Sequence, residues 1–236
     1  MYLYTDIATL LIMALSNIQV LEVDDWNNIQ DQLNKFSHWP GYVFRGQANA
    51  TWLLEPTLSR VLKLIKEENM NELIRTHLHN FRLDIRGRRG NNPRPLSDND
   101  LWALGQHYGL YTPLLDWTKS PWVALYFSLV YPEEKDGNKR VLWALHTPDI
   151  ENINIALTSK SKDKSFRVEL IEPTIDDNSR LVNQNGLFTK VNYENDIEKW
   201  VSEGPDVGNW ITLYKIIFPD SLRQRLLLSL NLMNIN

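Results

Sequence analysis

Residues 121–130, PWVALYFSLV, hold no charged side chain and set apolar groups at almost every position, so no rotation of a helix built from them presents a polar face. Ser120 and Pro121 supply its start. A serine hydroxyl caps a free backbone N–H, and proline at the first helical position loses no hydrogen bond. The pattern predicts a helix from Pro121 to about Tyr131, buried all round, with its beginning pinned in the interior. Asp116, Thr118 and Ser120 then gather beside the positive end of its dipole, where an anionic ligand group is favoured. Capping and tying down a loop are the ordinary uses of the same residues. Both readings stay open on this stretch alone.

A helix of this kind needs a sizeable domain around it. The chain has 236 residues with nine Trp, nine Tyr and seven Phe, which suits a packed globular protein and excludes a disordered one. There is no cysteine, so disulfides, thiolate nucleophiles and thiolate metal sites are excluded, and a cytoplasmic setting fits. The net charge of −4 provides no global field for nucleic acid. The apolar run Ala8–Leu15 is far shorter than the roughly 20 residues of a membrane span. Asp6 stands where a secretion signal carries basic residues. No membrane partner is expected, and residues 1–41 read as an N-terminal helical extension packed on a single domain covering 1–236.

Trp26, Ile29, Leu33 and Phe36 recur at helical spacing behind Asp24 and Asp25, which predicts an amphipathic helix. Pro40 and Gly41 mark a turn. Tyr42, Val43 and Phe44 favour a strand, followed at its end by Arg45, Gly46 and Gln47. A guanidinium held at a strand end can grip carboxylate or phosphate in two-point fashion, or it can form an ion pair with Asp116 or Glu55. A long helical region runs from Pro56 to about Ile85, broken near Asn69–Asn71. Arg82, Arg86, Arg88, Arg89 and Arg94 then face only Asp84 in a loop rich in Gly, Asn and Pro. Such a loop can grip a nucleic-acid backbone, or be solvated and pair with acidic neighbours. Ser97 opens a short helix. Residues 140–147 read as an interior strand, with His146 a structural residue at its end. Phe166, Val168 and Leu170 alternate with Arg167 and Glu169, the sign of a strand with one wet face. Asn185-Gly186 signals a turn leading into a strand through Leu187, Phe188 and Val191, with Arg180 and Gln184 flanking the corner. A short helix from Tyr193, a strand over 209–218 and a closing helix capped by Asp220 or Ser221 complete an α+β fold of about five strands.

Phe44-Arg45-Gly46-Gln47, Trp52, Glu55-Pro56-Thr57, Arg60, Gln106-His107-Tyr108-Gly109-Leu110, Thr112, Leu114-Leu115-Asp116-Trp117-Thr118 and Ser120-Pro121 resemble, in this order, the blocks of the FRG domain family. The resemblance returns at Arg180, Gln184, Gly186 and Phe188. Pro113 departs from it, standing where the family usually has arginine. The layout is also similar to that of ADP-ribosyltransferases, which bind NAD in a cleft of a split sheet.

That resemblance implies a split mixed or antiparallel sheet flanked by helices, with an ADP-ribosyltransferase-like core and NAD as substrate. By analogy it makes Arg45, His107, Thr118 and Gln184 catalytic. Arg45, Gln47, Gln106, Tyr108, Asp116, Ser120 and Arg180 would line the dinucleotide. Gln184 stands where those enzymes usually have glutamate; it can hydrogen-bond a ribose but cannot act as a base, and Glu194, ten residues on, is the carboxylate considered in its place. The macromolecule modified would be RNA or DNA gripped by Arg86, Arg88, Arg89 and Arg94. The role would be a bacterial toxin or phage-defence effector, with an antitoxin as partner. The alternative is a non-catalytic module that binds a nucleotide or partner protein. A metal-dependent hydrolase fits poorly, because the His and acidic residues lack clustered ligand spacing.

Overall fold

The computed structural model describes residues 17–36, 38–66, 68–91, 93–132, 139–160, 167–172, 186–204 and 212–235. They form two compact units, and the chain passes between them four times. The first takes residues up to Leu53, Trp117–Arg167 and Glu198 onward, and the second takes Leu54–Asp116 and Val168–Ile197. The apolar run Ala8–Leu15 lies outside the described residues.

The first unit is built on strands β1 (Ile18–Glu22), β2 (Tyr42–Gln47), the Trp117–Thr118 end of β3 (Leu114–Thr118), β4 (Lys139–His146) and β7 (Leu213–Pro219), in the order β1-β7-β4-β2-β3. β1 runs parallel to β7 and the other pairs are antiparallel, so the sheet is mixed. Residues 18–22 therefore contribute an edge strand to the sheet. Its place beside β7 supplies the pairing: the Val23 N–H donates to the Ile217 carbonyl at 2.9 Å, and the Leu213 N–H to that of Asn17 at 2.9 Å.

Strand alternation gives this sheet two different faces. Tyr42, Phe44, Leu142, Ala144, Tyr214, Ile216 and Phe218 lie in one buried cluster with Ile29, Leu33 and Phe36 of helix α1 (Trp26–Phe36). Asp25 starts that helix by accepting the Asn28 N–H at 2.9 Å. Phe36 is the hub, with its ring centroid 5.1 Å from Tyr42, 5.2 Å from Phe44 and 5.3 Å from Tyr214, all edge-on. Such pairs add about 0.5–1.5 kcal/mol each beyond burial of area. Burial, with Tyr214 and Asp149 nearby, raises the Tyr42 phenol above its ordinary pKa.

The helix expected after Ser120 is α5 (Pro121–Leu129), and the Ser120 hydroxyl accepts the Val123 N–H at 3.4 Å. It is not buried all round. Ala124, Leu125, Ser128 and Leu129 are enclosed, whereas Phe127 is 44% exposed, because only the side of the helix against the sheet is covered. β2 also differs from expectation: it continues through Arg45 and Gly46 to Gln47, paired residue for residue with β4. Gly46 permits this. A Cβ there would stand 1.9 Å from the Ala124 carbonyl oxygen and 2.6 Å from the Ser128 nitrogen, so helix and strand backbones touch.

Two arginines close the other end of α5. Arg140, fully buried on β4, donates to the Ser128 carbonyl, to that of Tyr131 at 3.1 Å, and to the Asp220 carboxylate. Arg223 donates to the carbonyls of Leu129 at 2.7 Å and Val130 at 3.3 Å. Four successive carbonyls at a helix C-terminus, where cations are favoured, are thereby satisfied. Asp220 is taken by Arg140, which corrects the expected cap. The chain instead makes a 3-10 turn, Asp220–Leu222, before α8 (Arg223–Leu232), whose N-cap Leu222 offers no side-chain hydrogen bond. Helices α6 (Asp149–Lys160), not expected from the sequence, and α7 (Ile197–Glu203) complete the elements met in this unit; Ile197 itself falls in the second.

In the second unit, α2 (Thr57–Leu62), α3 (Met70–Asp84) and α4 (Asp98–His107) enclose Leu58, Leu62, Leu78, Leu101 and Trp102 with Leu114 of β3. The expected break before α3 is present, with the Asn69 side chain accepting the Glu72 N–H at 3.1 Å. Ser97 and Asp100 form a reciprocal capping box on α4. Gly109, at φ +83, lets the chain leave α4 in the left-handed region. The strand order is β3-β6-β5, with β6 (Gly186–Lys190) antiparallel to β5 (Glu169–Ile171). Val168 and Ile171 are buried and Leu170 is 41% exposed, so Leu170 is not the inward position expected. The ladder sets this, pairing Ile171 with Phe188.

Replacing Gly46 with alanine is expected to lower unfolding free energy by about 3 kcal/mol, the upper end of the overpacking range. Urea unfolding checks it, and a loss under about 1 kcal/mol would contradict the backbone contact.

Candidate functional site

On the face of the first unit's sheet opposite Phe36, β2 presents Val43, Arg45 and Gln47. The register sets Arg45 beside Trp143, and Trp143 beside Lys215. At ordinary strand spacing the outer two backbones are about 10 Å apart. The Gln47 side chain is locked at both ends: its oxygen accepts the Trp143 indole N–H at 2.7 Å and its amide donates to the Leu53 carbonyl at 3.1 Å. Lys215 lies 4.6 Å from the centre of the Trp143 ring, a favourable cation–π placement, and 3.1 Å from the Glu198 carboxylate on α7. On this face, therefore, Arg45 and Lys215 flank an indole, with Glu198 beside Lys215, while Lys139 and Glu22 pair with each other at 2.7 Å toward its edge. Arg45 and Lys215 are half-buried and Trp143 is fully enclosed.

Thr118 belongs to the other face. It pairs with Phe44, one residue before Arg45, and successive strand residues point to opposite sides. Thr118 and Arg45 thus do not share a face of the sheet, contrary to the lining expected for a common cleft. The Thr118 hydroxyl accepts the Ser120 N–H at 3.2 Å, and Ser120 caps α5. Both hydroxyls do the ordinary work of a helix start.

The second unit gathers a separate polar group. Gln106, near the end of α4, donates to the Asp116 carboxylate at 2.6 Å and accepts the hydroxyl of buried Thr112. The Thr112 N–H reaches the Thr57 hydroxyl at 3.4 Å, and its carbonyl accepts the Leu58 N–H at 3.2 Å. This chain of bonds fastens α4, β3 and α2 together. His107 and Tyr108 lie outside it, exposed at the helix end with rings 5.1 Å apart. Glu55, considered as a partner for Arg45, is paired with Lys63. Glu194 accepts the Tyr193 hydroxyl at 3.2 Å, and desolvation followed by that carboxylate raises the phenol's pKa. Arg180 and Gln184 lie outside the described residues.

Arg86, Arg88 and Arg94 are exposed, and Arg89 donates to the Arg94 carbonyl at 2.9 Å, folding the basic loop back on itself. No helix among the described residues is long and apolar enough to cross a membrane.

With Phe44 in the core, Arg45 on the opposite face and Gly46 beneath α5, the tripeptide has three separate jobs. Residues 40–137 match the FRG domain family. The match spans 98 of 236 residues. It includes Arg45, the Gln106–Thr112–Asp116 group and α5, and it stops before Trp143, Arg180, Gln184, Glu198 and Lys215. No curated protein and no solved structure matches the chain. Trp143, Lys215 and Glu198 were not singled out from sequence. The available signal was a lysine inside the apolar strand LYKIIFP.

Replacing Gln106 with glutamate sets a second carboxylate against Asp116 within the FRG-matching segment. A proton shared by that pair is held more tightly in the folded state than in the unfolded one, so the variant's stability is retained at low pH and lost as pH rises. Because Asp116 is exposed, the expected deficit at pH 7 is about 1 kcal/mol, shrinking toward pH 4. Thermal unfolding across that range checks the sign.

Proposed function

We propose that this chain is an ADP-ribosyltransferase-like enzyme that consumes NAD and modifies a macromolecule, acting as a toxin or defence effector under an antitoxin's control. The observation that carries the reading is the position of Arg45: half-buried, in mid-strand, on the face that also holds Lys215 and Glu198. A guanidinium fixed by a β-ladder suits the pyrophosphate of a dinucleotide, because its fork is already oriented. Lys215 offers a second positive charge.

In the reaction, the bond from ribose C1′ to nicotinamide nitrogen breaks and its electron pair leaves with the nicotinamide. Positive charge develops on the ribose, and an acceptor nucleophile then bonds to C1′ and gives up its proton to solvent water. Glu198, beside Lys215, is suited to stabilise that charge, because Glu22 on the same face is held by Lys139. Fixed charges and orientation supply most of the acceleration in such a step.

Incubation with adenine-labelled NAD and RNA, DNA and protein acceptors tests this, with released nicotinamide measured alongside. Arg45→Ala is expected to lower transfer by about a hundredfold or more, and Arg45→Lys to restore part of it. Transfer unchanged in a folded Arg45→Ala variant would overturn the assignment.

A second reading rests on saturation. Gln47 is held by two partners and Glu198 is neutralised by Lys215, an arrangement that favours a non-catalytic nucleotide-binding module. NAD binding by calorimetry without nicotinamide release would favour that reading.

A further inference from the structure

Helix α3 carries a row of basic side chains that the proposed chemistry does not use. Arg75, His79 and Arg82 lie at i, i+4 and i+7, and Arg86 continues the row at i+11 just past the helix end. At about 100° per residue these positions stay within a narrow stripe, spread along about 16 Å of axis. All four are exposed. Beside the stripe runs a groove of about 410 Å³ lined by Glu72, Arg75, Thr76, His79, Arg82 and Asp98.

The charge is concentrated here. Residues 70–96 hold six arginines, no lysine, and only Glu72 and Asp84 as acids, a net of +4; with −4 for the whole chain, all other residues together carry −8. Asp84 sits about half a turn from the stripe. Glu72 reaches Arg75 at 3.9 Å and Asp98 reaches Arg82 at 2.5 Å, both largely exposed pairs. Pairs of this kind are weak, so a phosphate can displace the long Glu72 contact at little cost. Arg86, Arg88 and Arg94 make no ion pair among the described residues, and Gly87 and Gly90, both at positive φ, set the turns that place them after the helix.

We propose that the α3 stripe with the loop after it binds the phosphate backbone of a single nucleic-acid strand. Three features favour a strand over other polyanions and over a duplex. The arginines form a line rather than a broad patch, about 10.5 and 6 Å apart along the helix axis, suited to following one chain of phosphates. Glu72 and Asp98 flank the groove and repel a second strand. Five of the six arginines of this stripe and loop are exposed, which suits a phosphate contact better than a buried recognition pocket. This inference does not depend on NAD chemistry.

The test uses the full chain and a labelled mixed-sequence RNA strand, with fluorescence anisotropy read from 50 to 200 mM salt. About four phosphate contacts predict a log–log salt slope near −2.8, so affinity should fall about fiftyfold over that range. The variant Arg75→Ala, Arg86→Ala, Arg88→Ala, made at exposed positions that leave folding intact, should flatten the slope to about −0.7 and weaken binding at 50 mM. A DNA strand of the same sequence should bind comparably, because the phosphates are read. Unchanged binding by the triple variant, tighter binding of a duplex than of either strand, or equal displacement by polyglutamate would each overturn the proposal. Arg45→Ala should leave strand binding unchanged even if it abolishes transfer, which separates this site from the proposed catalytic one.

Discussion

The contact between α5 and β2 at Gly46 is the constraint on which the first unit depends. With the Ala124 carbonyl 1.9 Å from where a Cβ would stand, the helix can lie on the strand only if that position has no side chain. Close approach then fixes the rest. Ala124 and Leu125 reach the cluster around Phe36, Ser120 caps the helix start, and Arg140 and Arg223 satisfy four carbonyls at its end. Arg140 is completely enclosed, a placement tolerable because its guanidinium has a carboxylate and two carbonyls around it.

The same strand divides structure from chemistry by simple alternation. Tyr42, Phe44 and Gly46 serve the core and the helix, whereas Val43, Arg45 and Gln47 face the other way. Trp143 links that second set, taking Gln47 as hydrogen-bond partner and Lys215 over its ring. The indole stands between the two cations in the ladder, with Lys215 4.6 Å from its ring centre. Thr118 illustrates the opposite case. Its hydroxyl belongs to a motif rich in hydroxyls, but the pairing with Phe44 turns it to the helix side, where it supports the turn into α5.

Much of the local structure was legible beforehand. Ser120-Pro121 and Ser97 open helices as their local pattern predicts, and the break before α3 falls where Asn69–Asn71 marked it, because each depends on residues within a few positions. The spacing of Ile29, Leu33 and Phe36 likewise gave α1. What escaped were facts set by pairing: β2 running past Phe44, Leu170 facing outward, and Asp220 serving Arg140 rather than a helix cap. Each depends on a partner far along the chain, and no local pattern encodes that partner.

The sequence by itself determined the α+β character, the capped helix starts, the basic segment after α3 and the resemblance carried by Phe44-Arg45-Gly46 and Gln106–Thr118, because these rest on spacing, propensity and charge within short windows. Only the tertiary structure decided which side chains share a surface. The β-ladder put Arg45 with Trp143 and Lys215 and parted it from Thr118, since strand register assigns each residue a face. The turn of α3 gathered Arg75, His79, Arg82 and Arg86 into one line, because a helical repeat brings residues three and four apart to one side.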